Sequence, residues 1–279
     1  MPKAVRFYEF GGPEVLKLEE VALQRPGRRE VRLKIEACAL NRADILLRED
    51  RHAVKVTVFP SPIGYEASGI IDRVGEDVSE FKVGDRVNTV PVGMHHCLCA
   101  ESAVLPVEAV SSYPETLTPS EATSVWMQYL TAWGALIEYG ALRATDTVVV
   151  SAASSSAGVG AIQLLKDAGA RSIATTTSSS KKPALLRIGA DHVIVTSEEN
   201  FGEAVMRITS GQGARLIYDP IGGDFTFQCG KALAEEGIIF VYGMLDPDPP
   251  RVDLYPDGPE ARSGAALLND HDFYQFRQP

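Results

Sequence analysis

The chain has 279 residues, of which 45% are hydrophobic and 23% are charged, a balance typical of globular proteins. This composition excludes a disordered tail and a collagen-like fibre. The 37 acidic residues outnumber the 27 basic ones, and the formal net charge of −10 argues against nucleic-acid binding, which needs positive charge to neutralise phosphates.

We expect neither a signal peptide nor a membrane span. The first residues lack the apolar core of a signal peptide, and no apolar run reaches the roughly 18 residues needed to cross a bilayer. Four cysteines are too few for a disulfide framework in a chain of this length, so reduced thiols are expected. The sequence therefore predicts a cytoplasmic protein that binds neither membranes nor nucleic acid.

The first part of the chain is predicted to be rich in β-strands. Residues 30–37 alternate polar and apolar side chains, as a half-buried strand does. Residues 67–75 and 84–90 are further predicted strands, bounded by glycines. We assign residues 1–117 to this β-rich domain.

A helix is predicted to follow. Thr118 and Glu121 have the spacing of a capping box, and Pro119 suits the first helical position. The helical pattern continues to Gly140, where a glycine favours a helix end.

From residue 147 onward, strands and helices alternate regularly. Apolar, β-branched segments separated by helix-period segments are typical of a parallel sheet covered on both faces. Residues 118–245 are therefore predicted to form a doubly wound α/β domain. The predicted strands are residues 147–151, 172–177, 192–196, 215–219 and 238–243, and the predicted helices are residues 158–169, 181–189, 203–211 and 224–237.

The last segment, residues 246–279, departs from this pattern. Its first part is rich in proline, which extends neither a strand nor a helix well. Residues 261–268 are predicted to form a short helix, and no further sheet strand is predicted.

The turn after the first strand of the α/β domain carries the chemistry. Residues 151–163 are rich in Ser, Ala and Gly and take the place of a dinucleotide-binding glycine motif. Small side chains let the backbone approach a pyrophosphate, and the helix N-terminus offers N–H groups and a positive partial charge. Turns rich in Ser, Ala and Gly are also found as merely flexible loops, but the position of this turn in a βαβ unit favours dinucleotide binding. The residues predicted to bind the cofactor here are Ala152, Ser155, Ala157, Gly158 and Val159.

The end of the second strand indicates which dinucleotide is preferred. About 20 residues beyond the turn, NAD-binding proteins place an Asp or Glu on the ribose 2′-hydroxyl. Residues 174–182 instead contain several hydroxyls and two lysines, without a carboxylate. This stretch, with Thr177, Ser178 and Lys181, suits a 2′-phosphate, so NADPH is the expected cofactor. The alternative is a serine-rich helix cap followed by a solvated lysine pair.

Together these features resemble the zinc-independent medium-chain dehydrogenase/reductases, and more narrowly the NADPH:quinone oxidoreductases of the zeta-crystallin type. The resemblance covers roughly residues 3–245, and each motif is specific only in combination with the others. Lys181 matches the lysine that holds the 2′-phosphate in related reductases. The matching segments are residues 8–16 (YEFGGPEVL), 40–44 (LNRAD), 64–69 (GYEASG), 83–87 (VGDRV), 130–132 (LTA), 189–194 (GADHVI) and 218–223 (YDPIGG).

The resemblance implies a GroES-like fold for the first domain and a Rossmann fold for the second, with the cofactor between them. Asn41 and Asp44 would line the substrate side, and Thr131 would lie beside the nicotinamide. Tyr242 and Gly243 would border the nicotinamide ring, since α/β sheets bind ligands at the carboxyl ends of their strands.

The zinc-dependent relatives of this family offer a competing mechanism. Asn41 stands where their ligand cysteine would be, and Tyr65 replaces the ligand histidine of a Gly-His-Glu pattern. No Cys-x-x-Cys motif is present, so a structural zinc site is not expected. Residues 95–99 (HHCLC) contain four metal-ligand side chains, which we interpret as structural or adventitious, with both cysteines on one face of a strand. No metal site is predicted, and Cys38 is interpreted as a packed core thiol.

Hydride transfer requires a dry pocket and donors for the oxygen on which charge develops. Without zinc, Asn41 offers an amide hydrogen bond, Tyr65 a phenolic one, and Asp44 a group that orients water or relays a proton. The expected function is NADPH-dependent, zinc-independent reduction of a quinone or of an activated alkene or carbonyl compound.

Two alternatives remain open. Residues 244–279 bear little likeness to the C-terminal part of the full-length relatives, which carries their dimerisation edge and further NADP contacts. This ending favours an NADPH-binding or redox-sensing module with little catalysis, whereas the cofactor turn favours an active reductase. A zinc alcohol dehydrogenase is a distant third. The resemblance implies a homodimer, although the dimerisation edge of the relatives is not recognisable in this sequence.

Overall fold

The computed structural model describes residues 1–52, 54–91 and 97–251, and the backbone of residues 264–267. The chain divides into two compact units, Met1–Met127 and Gln128–Pro279. Each unit has its own sheets and its own hydrophobic clusters.

The described part of the first unit is built mainly from short antiparallel strands. These are β1 (Lys3–Phe7), β2 (Leu16–Glu20), β3 (Glu30–Ala39), β4 (Ser61–Pro62), β5 (Glu66–Val74), β6 (Arg86–Thr89), β7 (Ser102–Pro106) and β8 (Val110–Ser112). They form one sheet with the order β7-β3-β5-β6-β8 and a smaller one with the order β2-β1-β4. The helices α1 (Arg42–Arg48) and α2 (Pro119–Thr123) and two short 3-10 turns complete the unit.

The strands predicted in this unit are confirmed in β3, β5 and β6. The alternation in β3 buries Val31 and Leu33 completely, and they pack with Ile71 and Leu105. Burying each such side chain stabilises the fold by about 1.5–3 kcal/mol. This cluster is the core against which the five-stranded sheet folds.

The predicted capping box is confirmed, but the predicted long helix is interrupted. The Thr118 side chain accepts the Glu121 N–H, and the Glu121 carboxylate accepts the Thr118 N–H at 2.8 Å. The chain then forms α2, α3 (Trp126–Ala132) and a π-helical segment (Trp133–Tyr139) that ends at Gly140. The Met127 N–H, at the start of α3, donates to a side chain of β5, a tertiary contact that the local sequence does not reveal.

The second unit contains a six-stranded sheet in which all neighbouring strands run parallel. Its strands are β9 (Thr147–Val150), β10 (Arg171–Thr176), β11 (His192–Val195), β12 (Ala214–Asp219), β13 (Leu233–Val241) and β14 (Gly264–Leu267). The helices are α4 (Ser156–Ala168), α5 (Lys182–Ile188), α6 (Phe201–Ile208) and α7 (Gly223–Gly230). In the described part of the chain, no helix is both long and apolar enough to cross a membrane.

The strand order confirms the predicted doubly wound fold. The order is β11-β10-β9-β12-β13-β14, which is the arrangement of dinucleotide-binding sheets, with its reversal point between β9 and β12. Both faces are covered, since Val148 and Val150 of β9 belong to one apolar cluster and Val149 belongs to another. Burial on both faces explains why these strands are continuously apolar in sequence.

One predicted helix boundary is wrong. Residues 224–237 are not a single helix: α7 ends at Gly230, and β13 already begins at Leu233. Leu233 pairs with Ala214 of β12, and pairing resumes only at Ile238, so residues 234–237 form an excursion within the strand. Pairing with β12 overrides the local helical preference of this Ala- and Glu-containing segment.

The prediction for the last segment is also wrong. Gly264–Leu267 is a strand rather than part of a helix over residues 261–268. It pairs in parallel with β13, from Ile238 with Gly264 to Val241 with Leu267. The open edge of β13 offers unpaired backbone groups, and pairing satisfies them even though this short segment has no β-branched residue.

Candidate functional site

The junction between β3 and α1 holds two of the predicted catalytic residues together. Asn41 precedes α1, and its backbone N–H donates to Oδ2 of Asp44 at 2.8 Å. Oδ1 of Asp44 accepts the Gly64 N–H at 2.9 Å. Burial raises the pKa of Asp44, while these backbone donors act in the opposite direction. Nδ2 of Asn41 is buried without a hydrogen-bond partner among the described residues, which leaves it as a donor for a ligand.

Tyr65, the third predicted catalytic residue, is held by a histidine. Its side chain is buried, and its hydroxyl lies 3.3 Å from Nε2 of His52. Nδ1 of His52 accepts the Val54 N–H at 3.0 Å. With Nδ1 an acceptor, the neutral imidazole carries its proton on Nε2 and donates it to the Tyr65 oxygen. Sequence reasoning missed His52, because only the fold brings it next to Tyr65.

Glu66 is a further buried acid in this unit that sequence reasoning did not single out. It is only 2% exposed, and Oε1 accepts the Met127 N–H at 2.8 Å. Burial, together with the nearby Asp44 carboxylate, raises the pKa of Glu66 to about 8. The Glu66 carboxyl group therefore keeps its proton at neutral pH.

The turn between β9 and α4 has the features predicted for phosphate binding. The Ser155 side chain caps α4 by accepting the Gly158 N–H at 3.1 Å. A Cβ at Gly158 would lie 2.7 Å from backbone atoms of Ala153, so only glycine fits. Ala152 has a φ of +44°, a left-handed conformation that costs a non-glycine residue about 1–2 kcal/mol. Ala157 is in the first turn of α4, whose N–H groups have no intrahelical acceptor.

The remaining helical residues predicted to contact the cofactor are half-buried. Val159 lies in α4, and Thr131 lies in α3. Gly160, which we did not predict as a site residue, explains how the two helices approach each other. A Cβ at Gly160 would lie 2.8 Å from the Gln128 carbonyl oxygen. The Gly158-x-Gly160 spacing is a sequence signal from which this close contact could have been predicted.

The end of β10 carries the residues predicted to bind a 2′-phosphate. Thr177 is exposed, and its carbonyl accepts a hydrogen bond from Ser197 Oγ at 2.9 Å. Ser178 is half-buried. Lys181 is exposed, and its Nζ donates to Ser154 Oγ at 3.2 Å. The fold therefore brings Lys181 to the turn that follows β9.

Two tyrosines stack at the carboxyl ends of β12 and β13. The Tyr218 and Tyr242 ring centroids are 3.9 Å apart with an interplanar angle of 16°. Neither hydroxyl has a hydrogen-bond partner within the described ranges. Burial raises the pKa of Tyr242. Gly243 packs against Pro220, since a Cβ there would lie 3.0 Å from the Pro220 carbonyl oxygen.

Asp219 organises the loop after β12 and was missed as a functional residue. It is fully buried, and its carboxylate accepts hydrogen bonds from Ser151 Oγ at 2.5 Å and from Thr226 Oγ1 at 3.1 Å. It also accepts the N–H groups of Ile221 at 3.0 Å and Gly222 at 3.2 Å. Burial raises the pKa of Asp219, and these four donors lower it. Asp219 therefore ties the loop to the first residue of the cofactor turn.

The HHCLC segment is only partly described, because His95 and His96 lie outside the described residues. Cys97 Sγ donates to the Val5 carbonyl at 3.5 Å, and Cys99 is buried. The expectation that these cysteines lie on a strand is wrong, since β7 begins only at Ser102. Across residues 1–52, 54–91 and 97–251, no group of three or more His, Cys, Asp or Glu side chains is placed to hold a metal ion.

Comparison with known proteins identifies the family. Residues 27–152 match the alcohol dehydrogenase GroES-like domain, and residues 157–266 match the zinc-binding dehydrogenase domain. A quinone oxidoreductase of Pseudomonas aeruginosa is 32% identical over 245 residues, which cover 87% of this chain and 74% of that protein. The chain belongs to the quinone oxidoreductase family of the medium-chain dehydrogenase/reductases, so the resemblance seen in the sequence is confirmed. It is an oxidoreductase of that family.

Solved structures have the same two-part fold. A quinone oxidoreductase of Pseudomonas syringae has a TM-score of 0.87 at 25% identity, covering 98% of this chain and 85% of that one. A mycobacterial protein complexed with NADPH has a TM-score of 0.85 at 28% identity, covering 98% of this chain and 82% of that one. This likeness confirms the predicted GroES-like and Rossmann-type folds.

Proposed function

We propose that this chain binds NADPH and uses it, without zinc, to reduce a quinone or an activated alkene or carbonyl compound. The observation that carries the proposal is the turn between β9 and α4, where Ser155 caps a helix and Lys181 bonds to Ser154 of the same turn. When bound, NADPH supplies the hydride from its nicotinamide ring.

The residues present fit the phosphates of NADPH. The first-turn N–H groups of α4 and the positive end of the helix suit a pyrophosphate, and Gly158 keeps the backbone open to it. Thr177, Ser178 and Lys181 offer two hydroxyls and a cation for the 2′-phosphate. The NADPH complex of the mycobacterial neighbour supports the same cofactor.

The nicotinamide side of the proposed site is formed by Thr131, Tyr242 and Gly243. The unpartnered, buried hydroxyls of Tyr218 and Tyr242 are donors at the sheet end where dinucleotide-binding folds hold their ligand. Because Gly243 packs on Pro220, the chain after Tyr242 is fixed in place. In the proposed site these residues therefore orient the nicotinamide ring and exclude water from one of its sides.

On the substrate side, Asn41, Asp44 and Tyr65 are the proposed catalytic residues. Reduction of a carbonyl places negative charge on its oxygen, and the buried Nδ2 of Asn41 is a donor for that oxygen. Asp44 fixes the Asn41 backbone through the 2.8 Å hydrogen bond. Tyr65 carries a hydroxyl proton, and the hydrogen bond from His52 stabilises the oxygen that remains when this proton leaves.

A zinc-dependent mechanism is disfavoured by the donor set. Zinc in proteins is bound by thiolate, imidazole and carboxylate groups. An amide at Asn41 and a phenol at Tyr65 are poor ligands by comparison, and Tyr65 already contacts His52. We therefore expect chelators to leave the activity unchanged.

The proposal is tested by titrating the purified chain with NADPH and NADH, following nicotinamide fluorescence. We expect saturable binding with a preference of about tenfold or more for NADPH. NADPH oxidation is then followed with 1,4-benzoquinone and with a simple enone, with and without EDTA. Absence of binding would refute the proposal, and binding without oxidation of either acceptor would identify an NADPH-binding or sensing module instead.

A further inference from the structure

The first unit contains a cavity that the proposed function does not use. Its volume is about 390 Å³, within the range of small-molecule pockets, which runs from about 300 to about 1,000 Å³. None of the proposed catalytic residues is among the described residues that line it. The cavity is bordered by residues 2–6, 21–24, 58–62 and 97–104, which include most of β1 and the first half of β7.

The walls of this cavity are mostly apolar and rigid. Four alanines and three prolines line it, and these residue types have almost no side-chain freedom, so none of their rotamers can close the space. Ala4 lies deep in the cavity, since it is only 2% exposed, and it forms a β-bridge with Ala100 of the opposite wall. The Val21 N–H donates to the Pro2 carbonyl at 2.9 Å. These backbone contacts hold three of the bordering segments together, so the cavity is preformed.

Two apolar side chains at the rim of the cavity remain open to solvent. Val58 is 73% exposed, and Phe59 is 39% exposed. The Phe59 ring meets the rings of Phe7 and Phe10 edge-on, with centroids 5.8 Å and 5.2 Å away. Phe7 is completely buried, so these contacts hold the Phe59 ring in place. A ligand in the cavity would therefore cover apolar surface that the chain itself leaves exposed.

One cation lines the cavity. Arg6 is the only charged side chain among the described lining residues, and it is one-third exposed. Its Nη1 lies 3.5 Å from Oε1 of Glu19, the long end of hydrogen-bond distances. A guanidinium carries five N–H donors, so this single contact leaves donors for a ligand. Cys97 also lines the cavity, but burial raises the pKa of its thiol, which therefore stays neutral.

We propose that this cavity binds a small monocarboxylate with an apolar tail of about eight carbons, its carboxylate on Arg6 and its tail against Phe59 and the alanine and proline walls. A carboxylate matches the guanidinium in shape and charge, and their hydrogen bonds are stronger than those between neutral groups. A second negative charge would find no further cation in the lining, so a monoanion fits better than a dianion. The test needs neither NADPH nor a hydride acceptor, so its result is independent of the proposed function.

The proposal is tested by titrating the full chain with sodium octanoate in an isothermal titration calorimeter. We expect saturable binding at one site with a Kd of about 1 mM or lower. Octanamide has the same tail without the charge, so its Kd should be about tenfold higher. Absence of saturable octanoate binding, or equal Kd values for octanoate and octanamide, would overturn the proposal.

Charge variants test the role of Arg6. Arg6→Gln should raise the Kd for octanoate about tenfold. Arg25→Gln is the matched control, because Arg25 is an exposed arginine next to the cavity lining but not part of it. Glu19→Gln should bind octanoate at least as tightly as the original chain, since it removes a carboxylate that competes for Arg6. Equal losses in Arg6→Gln and Arg25→Gln, or weaker binding by Glu19→Gln, would place the carboxylate elsewhere and overturn the proposal.

A cavity-filling variant tests where the tail binds. Ala22 lines the cavity and is exposed, so Ala22→Trp should abolish octanoate binding while the midpoint of thermal unfolding stays the same. A folded Ala22→Trp variant that binds octanoate normally would show that the tail lies outside this cavity. If the substitution lowers the unfolding midpoint, the three charge variants decide the question.

Discussion

Nζ of Lys181 donates a hydrogen bond to Oγ of Ser154 over 3.2 Å, which joins the segment after β10 to the turn after β9. The two residues are 27 positions apart, and parallel pairing of β9 with β10 brings them together. In the proposed site this contact would lie at the 2′-phosphate, where NADPH differs from NADH, so Lys181 is the residue with which to test cofactor preference.

We expect Lys181→Ala to raise the Kd for NADPH about tenfold, or about 1.4 kcal/mol, and to leave the Kd for NADH unchanged. The reason is that the variant loses a cation for the 2′-phosphate, which NADH lacks. Fluorescence titration measures both values. Lys182→Ala is the matched control, because Lys182 is an adjacent exposed lysine at the start of α5. Equal losses in the two variants would contradict a specific role for Lys181.

We expect Gly158→Ala to lower the free energy of unfolding by about 1–3 kcal/mol and to weaken NADPH binding, because its Cβ would overlap the Ala153 backbone. Denaturant unfolding and the same titration measure the two effects. Gly230→Ala in α7 is the control, since nothing lies within 4 Å of its Cβ position. That variant should be neutral or stabilised by up to about 1 kcal/mol, and a loss matching that of Gly158→Ala would argue against the close approach.

We expect Asn41→Ala to lower kcat about 100-fold while the Kd for NADPH stays the same, because the variant removes the buried Nδ2 donor. Steady-state kinetics with 1,4-benzoquinone and the NADPH titration separate the two effects. Asn200 precedes α6 as Asn41 precedes α1, so Asn200→Ala controls for a changed helix start. An Asn41→Ala variant with normal kcat would remove Asn41 from the mechanism.

We expect Asp219→Asn to lower the free energy of unfolding by about 2–4 kcal/mol, because an amide cannot accept all four hydrogen bonds made by the carboxylate. Asp224→Asn is the control. Asp224 is 70% exposed and pairs with Arg251 at the surface, where such pairs contribute about 1 kcal/mol or less. Similar unfolding midpoints for both variants would refute the organising role of Asp219.

Glu66 makes stability depend on pH. Its pKa is about 8 in the fold, whereas the ordinary pKa of a glutamate is 4.5, so between these two pH values the folded state holds a proton that the unfolded state has released. The contribution of Glu66 to the free energy of unfolding is fully present below about pH 4.5 and is lost as the pH rises through about 8. Glu66→Gln mimics the protonated form and should flatten the curve. The gain in its free energy of unfolding over the original chain should be larger at about pH 8.5 than at about pH 6 by about 3 kcal/mol.

Urea unfolding at about pH 6 and about pH 8.5 measures this difference. Glu121→Gln is the comparison, because Glu121 is an exposed capping residue whose pKa is lowered by its hydrogen bonds to Thr118. The Glu121→Gln variant should keep the pH slope of the original chain. An unchanged slope in Glu66→Gln would show that Glu66 is ionised in the fold.

Much of the second unit follows from the sequence because its signals are local. The strand and helix periods in the sequence predict the four strands from β9 through β12. The small residues around Gly158 predict a phosphate-binding turn because they fall between a strand and a helix. Lys181 was found by its distance from that turn. The catalytic and cofactor-binding roles of the predicted site residues stay predictions. The domain boundary at residue 117 stays a prediction as well.

What the sequence did not reveal depends on contacts between distant segments. β14 is a strand because β13 has an open edge, and the start of β13 is fixed by Ala214. Cys38, at the end of β3, is exposed, which corrects the prediction of a packed core thiol. The contact of Tyr65 with His52 joins residues whose neighbours in sequence carry no sign of it. Such pairs are visible only once the chain has folded.

The excursion at residues 234–237 is a position at which the sheet should tolerate inserted residues. Glu235 and Glu236 are exposed, and Leu233 and Ile238 hold β13 to β12 on either side. Extra residues inserted between the two glutamates would extend this excursion without shifting the register of the strand end that leads to Tyr242. A peptide tag or a fluorescent label placed there would report on the second unit from within its sheet, while both chain ends stay untouched.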